Sequence, residues 1–191
     1  MTTALWLLAI QGVFGAFDTL YYHEWRARLP AAGPGVRAEL RLHAARDFIY
    51  AVVFATLPRL AWRGAWAYVL AALLAAEICI TLRDFVVEDR VRASLGGVFA
   101  GERVTHALMG ILYGAVLACL LPTLDEWRRA PTALAPHDAT VPRTLTWLLT
   151  LMAVGVALSG ARDAYAAAGL PGGGWPWDKG VRAPSHEGVK A

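Results

Sequence analysis

At 191 residues, 57% hydrophobic and only 17% charged, with a mean hydropathy of +0.44, the chain is too apolar for an ordinary soluble domain, which carries about 25% charged residues. Its net charge of +3 comes from arginine more than lysine, and the arginines interleave with acids and flank apolar runs, which excludes a nucleic-acid-binding stripe. Cys79 and Cys119 fall inside apolar segments without a C-x-x-C spacing, so they read as small buried hydrophobes and supply no disulfide framework.

The apolar residues come in blocks about 20 long, the length that crosses a hydrocarbon core of about 30 Å. They predict an all-α fold: a polytopic membrane protein, a bundle of about five transmembrane helices in one domain, residues 1–170. The first span, 4–22, carries Gln11 and Asp18 in its apolar run and no positive leader region before it, so it reads as a retained helix. The second, 44–62, has a clean apolar core of residues 48–57, too short to cross alone. It must take in Arg46 and Asp47 at one end and run through Pro58 at the other. The third covers 65–84. Residues 86–101 then read as a connecting loop, or as an interfacial cover broken at Gly96 and Gly97. The fourth covers 103–121, and Pro122, Pro131, Pro136 and Pro142 predict a largely non-helical connection to the fifth, 144–168. Residues 171–191, rich in Gly, Pro and Trp, read as a flexible cytoplasmic tail. Trp6, Trp25, Trp62, Trp66, Trp127 and Trp147 lie near span ends, as interfacial anchors do.

Five spans put the termini on opposite sides. The face holding the 1–2 loop, the 3–4 loop and the C-terminus collects 13 of the Lys and Arg residues, from Arg26 to Lys190. The other face has 5: Arg59, Arg63, Arg128, Arg129 and Arg143. Positive charge favours the cytoplasmic side, so the expectation is a bacterial inner-membrane protein with its N-terminus outside and its C-terminus in the cytoplasm.

Ionisable residues gather at that same side of the spans. Charge inside hydrocarbon costs roughly 2.5–3.5 kcal/mol per residue on insertion scales, so such residues pair or act. Two Glu-x-x-x-His pairs, Glu39/His43 and Glu102/His106, have the four-residue spacing that puts both side chains on one helix face. Inward-facing His and carboxylate from several helices can ligate a metal, so these four are the candidate metal ligands, for iron, zinc or manganese. Asp18, Glu77 and Asp84 are candidate catalytic acid–base groups, Glu77 being the most deeply placed carboxylate. On an α-helix Tyr22 would follow Asp18 by one turn. His23, Arg46, Asp47, Arg83, Arg162 and Asp163 complete a polar network, in which Arg-Asp recurs at the ends of three spans. Gly110 and Gly114 share the Glu102/His106 face and have the small-residue spacing of close helix packing, within the chain or across a homo-oligomer.

Three functional classes remain open on sequence. The first is a membrane enzyme with a His/carboxylate site, metal-bound or not, near the inner leaflet, acting on a hydrophobic small molecule such as a lipid or quinone. The second is a proton or ion transporter relaying through Glu77, Asp18 and the histidines, against which stand the apolar outer halves of the spans. The third is a structural or assembly subunit whose charges only lock helices together among membrane lipids. Nothing in the chain points to a nucleic-acid partner.

Overall fold

The computed structural model describes residues 1–137 and 141–171. It is an all-α bundle whose five long helices are α1 (Thr2–Phe17), α2 (Arg37–Thr56), α3 (Ala65–Val91), α4 (Ala100–Arg128) and α5 (Arg143–Ala167). Four helical segments are long and apolar enough to cross a membrane: Thr2–Ala31, Ala65–Leu95, Ala100–Arg128 and Arg143–Ala167. The all-α expectation is borne out. The fifth helix, α2, does not reach that apolarity, because its first three turns carry Arg37, Glu39, Arg41, His43, Arg46 and Asp47.

α2 also departs from the expected 44–62. It begins seven residues earlier, so Glu39 and His43 lie within the helix and not at its mouth. It ends at Thr56, two residues before Pro58, which lacks the N–H a continuing helix needs. Residues beyond it form strand β1 (Leu60–Arg63), paired antiparallel with β2 (Ala133–Pro136), Leu60 opposite Pro136 and Arg63 opposite Ala133. This small ribbon joins the two connections at the far end of the bundle. Gly64 follows β1 at a φ of +60°, where Thr132 backbone and side chain occupy the space of any Cβ. Two expected anchor residues, Trp62 of β1 and Trp127 of α4, are buried at the ribbon end of the bundle, whereas Trp6, Trp25, Trp66 and Trp147 are exposed.

Other ends move too. α4 runs through Pro122 to Arg128 instead of stopping near residue 121. Proline removes one helical hydrogen bond; the final turn is tied down by Gly64 N–H donating to Trp127 O at 2.8 Å and by Arg128 and Arg129 pairing with Asp125. α3 continues to Val91 and into a 3₁₀ turn, Arg92–Leu95, so most of the expected loop over residues 86–101 is helical. Cys79 is exposed on α3, not buried, and Cys119 is half-buried. The expected tail lies outside the described residues except for Pro171.

The main core joins Leu5 and Leu8 of α1, Phe54 and Leu57 of α2, Leu70 of α3, Leu120 of α4, and Leu145 and Leu149 of α5. It fills the half of the bundle nearest the ribbon. α2 packs along α5, α3 packs against α2, and α1 against α4. A second small core of Leu29, Val36, Leu40 and Ala167 closes the opposite end of the α2–α5 pair. The ionisable residues are buried in that half.

Candidate metal centre

After Phe17 the first helix loosens into a π-helix, Asp18–Arg26. Its hydrogen bonds span five residues instead of four, which widens each turn beyond 3.6 residues and swings residues five apart closer to one face. That brings His23 beneath Asp18, with His23 Nε2 3.3 Å from Asp18 Oδ2. In an α-helix the pair would diverge by more than a third of a turn. Tyr22, expected on the face of Asp18, instead turns onto α4, over Gly101 and stacked on Phe99.

α4 supplies the next two groups. His106 Nε2 lies 3.1 Å from the same Asp18 Oδ2, and Glu102 Oε1 lies 3.2 Å from His23 Nε2. One ligand atom each from Asp18, His23 and His106 falls within 4.8 Å of the others, and all three side chains are buried. The other nitrogen of His106, Nδ1, faces Glu88 Oε1 of α3 at 3.7 Å, and Phe85 stacks on its ring. Among the described residues this is the one group of three or more His, Cys, Asp or Glu side chains with the close atom spacing of a metal site.

A parallel group adjoins it on α2. His43 Nε2 lies 3.1 Å from Asp84 Oδ2 and 3.7 Å from Glu39 Oε1, and His43 Nδ1 lies 3.7 Å from Asp163 Oδ2 of α5. Arg46 Nη1 donates to Asp84 Oδ2 at 3.4 Å. The rings of His23 and His43 stack at 4.6 Å, 9° from parallel, joining the two groups.

Arg92 ties the groups together at their glutamates. It donates to Glu39 Oε1 through Nε at 2.8 Å and Nη2 at 2.6 Å, and to Glu102 Oε2 through Nη1 at 3.3 Å. No part of the arginine side chain is exposed. Glu102 Oε2 also accepts from Phe99 N–H at 3.3 Å, closing the start of α4.

The two Glu-x-x-x-His pairs therefore meet in one buried cluster, but they divide between its halves. Of the four expected ligands only His106 belongs to the close trio. Its companions are Asp18, expected as an acid–base group, and His23, expected in the network. Asp163 and Asp84 reach His43, while Arg162 pairs with Glu24 on the side of the π-helix. Arg83 is exposed and stays outside the cluster. Glu88, whose spacing in the sequence puts it on the face of Glu77, Thr81 and Asp84, joins it as well; Arg92, four residues further on, joins it unforeseen, because its place on that face is legible only once α3 is known to continue to Val91.

Six carboxylates, Asp18, Glu39, Asp84, Glu88, Glu102 and Asp163, face two guanidinium groups and three imidazoles, an excess of acid that favours a further cation. One carboxylate oxygen of the trio, Asp18 Oδ1, is buried without a hydrogen-bond partner, while Glu102 Oε1 is shared between Arg92 Nη2 at 3.0 Å and His23 Nε2 at 3.2 Å. His23 Nε2 is the telling one: it sits between two carboxylate oxygens, 3.3 Å from Asp18 Oδ2 and 3.2 Å from Glu102 Oε1, where a metal ion or a shared proton fits. Unmet buried polar atoms are costly, and in native proteins they commonly mark an ion or water site.

Beyond the trio, toward the middle of the bundle, lies a cavity of about 690 Å³ between α1, α2, α3, α4 and α5. Asp18, His106 and Arg46 line one end of it. Asp47, buried beside α5, and Glu77 line it as well. Glu77 Oε1 accepts from Tyr50 at 3.1 Å and Thr81 at 2.9 Å, so it stands apart from the histidine cluster. Gly110 and Gly114 face this cavity: a Cβ at either would meet nothing within 4 Å, so they hold no neighbouring helix of the chain.

The fold and site together define a class, an all-α bundle of membrane-type helices around a buried His/carboxylate cluster. Comparison with protein-family models, with curated proteins and with solved structures finds no match for this chain.

Proposed function

We propose that the protein is an integral membrane enzyme of the cytoplasmic membrane, which holds a divalent transition metal on Asp18, His23 and His106 and acts on a hydrophobic substrate. The observation that carries this reading is the convergence of the three ligand atoms within 4.8 Å, in a buried cluster with excess acid. Two imidazoles and a carboxylate suit iron, zinc or manganese, and three protein ligands leave positions open for water or substrate. Glu88 facing His106 Nδ1 fits the carboxylate that commonly supports a metal-bound histidine from behind. Glu102, close to His23, is a further ligand or an acid–base group. The arginine count supports an orientation with this end toward the cytoplasm.

The test is the metal content of protein purified in mild detergent without chelator. The reading expects about one or two equivalents of iron, zinc or manganese per chain, lost in folded Asp18→Asn and His106→Ala variants. Metal-free folded protein that also fails to take up added Fe(II), Zn(II) or Mn(II) would overturn it. A second reading, a purely structural ion-pair network, is favoured by the completely buried Arg92 bridge; it expects those substitutions to lower stability with no metal to lose.

A further inference from the structure

We infer that the cavity beside the histidine cluster binds an uncharged lipid carrying a hydroxyl group, a long-chain or isoprenoid alcohol. This names the substrate class of the proposed enzyme and rests on that reading for the reaction, though not for the binding. A volume of about 690 Å³ lies within the range of small-molecule sites, roughly 300–1,000 Å³. Its walls are apolar toward the bundle centre, with Phe54, Leu117, Leu148, Met152 and Val156. The space exists because four of the five glycines that line it, Gly15, Gly110, Gly114 and Gly155, are positions at which a Cβ would meet open space. Leu20, Leu82 and Leu151 at its margin are exposed on the apolar flank of the bundle, so the cavity is reached from the side that hydrocarbon would cover.

The polar atoms facing the cavity select the head group. Tyr50 donates its proton to Glu77, so its oxygen accepts from Gln11 Nε2 at 3.5 Å. With the amide in that orientation, Gln11 Oε1 is an acceptor without a partner on a residue only 7% exposed. Asp18, two helical turns further along at the start of the π-helix, also lines the cavity and carries a second unpartnered acceptor, Oδ1. Unmet acceptors call for a donor, which a hydroxyl supplies and a ketone or ester does not. A carboxylate or phosphate head would face Asp18, Asp47 and Glu77 against Arg46 alone, and Arg46 already pairs with Asp84. The lipid therefore lies with its chain along Phe54, Leu117 and Met152 and its hydroxyl donating to Gln11 Oε1.

The experiment measures retention of radiolabelled hexadecanol, geranylgeraniol, palmitate and hexadecane by the purified full chain, with metal content determined on the same samples. At least one alcohol is expected to bind roughly tenfold better than palmitate and than hexadecane. Gln11→Leu should erase the advantage over hexadecane. Gly114→Leu should block all binding, with Gly155→Leu as the second variant where the first fails to fold. Palmitate bound as well as the alcohols, or no alcohol bound by folded wild-type protein, overturns the inference. Alcohol binding by protein that neither holds metal nor takes up added Fe(II), Zn(II) or Mn(II) sinks the metal reading and leaves this one standing; metal without alcohol binding does the reverse.

Discussion

Arg92 places both Nε and Nη2 on a single oxygen of Glu39 and reaches Glu102 with Nη1, in a position with no solvent exposure. Each glutamate begins one Glu-x-x-x-His pair, so one cation from the end of α3 orients the pairs on α2 and α4. A buried ion pair gains little over an apolar replacement of both partners, but removal of one partner strands a charge.

Arg92→Met is thus expected to cost about 3–5 kcal/mol of stability, since two buried carboxylates lose their counter-ion. The triple variant Arg92→Met/Glu39→Gln/Glu102→Gln should recover a large part of that loss. Detergent-micelle unfolding curves of the two variants check this, and equal stabilities for the single and triple variants would contradict the bridge.

The histidines separate by their neighbours. His23→Ala and His106→Ala remove members of the close trio and should abolish metal retention, whereas His43→Ala, on the far side of the His23 ring, should leave it. Glu88→Gln keeps all three ligands and loses only the carboxylate behind His106, so affinity should fall about 10–100-fold without vanishing. Titration with Co(II) or Zn(II) distinguishes these grades. A His43→Ala variant that loses metal with the other two would move the site toward the α2 group.

Much of this was legible in the chain, and the failures have local causes. Helix count and the polar end follow from apolar block length and from the charges that interrupt the blocks. The pairing of β1 with β2 was hidden, because Leu60–Arg63 and Ala133–Pro136 are too short for an alternating pattern and lie 70 residues apart. Arg92 was taken for a loop cation because the apolar run ends near residue 84, yet α3 goes on through a charged stretch whose every fourth residue, Asp84, Glu88 and Arg92, turns inward. His23 was undervalued for a geometric reason: sequence periodicity assumes 3.6 residues per turn, and the π-helix breaks that assumption where the ligands sit.

Gly160 sets how closely α5 approaches the cluster. A Cβ there would lie 2.9 Å from Asp47 Cβ and 3.3 Å from Ala44 O, so the two helices meet backbone to side chain. Gly160→Val should cost about 1–3 kcal/mol through overpacking and push Asp163, on the next turn, away from His43. Gly155→Ala, one turn and a half earlier and facing open space, should be near neutral. Thermal unfolding of the two variants compares them directly, and equal effects would show that the α2–α5 contact is looser than described.

The π-helix makes a prediction that few substitutions could. Asp18 and His23 come together because the widened turn of the π-helix brings residues five apart toward one face. Deleting the exposed Leu20 reduces their separation to four, which an ordinary α-helix would also place on one face, so the shortened chain can keep the pair and should retain metal. Inserting an alanine after Thr19 raises the separation to six, which neither helix type accommodates, and should abolish metal retention while overall helicity by circular dichroism is unchanged. Point substitutions at Leu20 should do nothing, since the side chain faces outward and only chain length sets the register. Metal retained after the insertion would mean that Asp18 and His23 do not act together, and the trio would have to be rebuilt around His106 and Glu102.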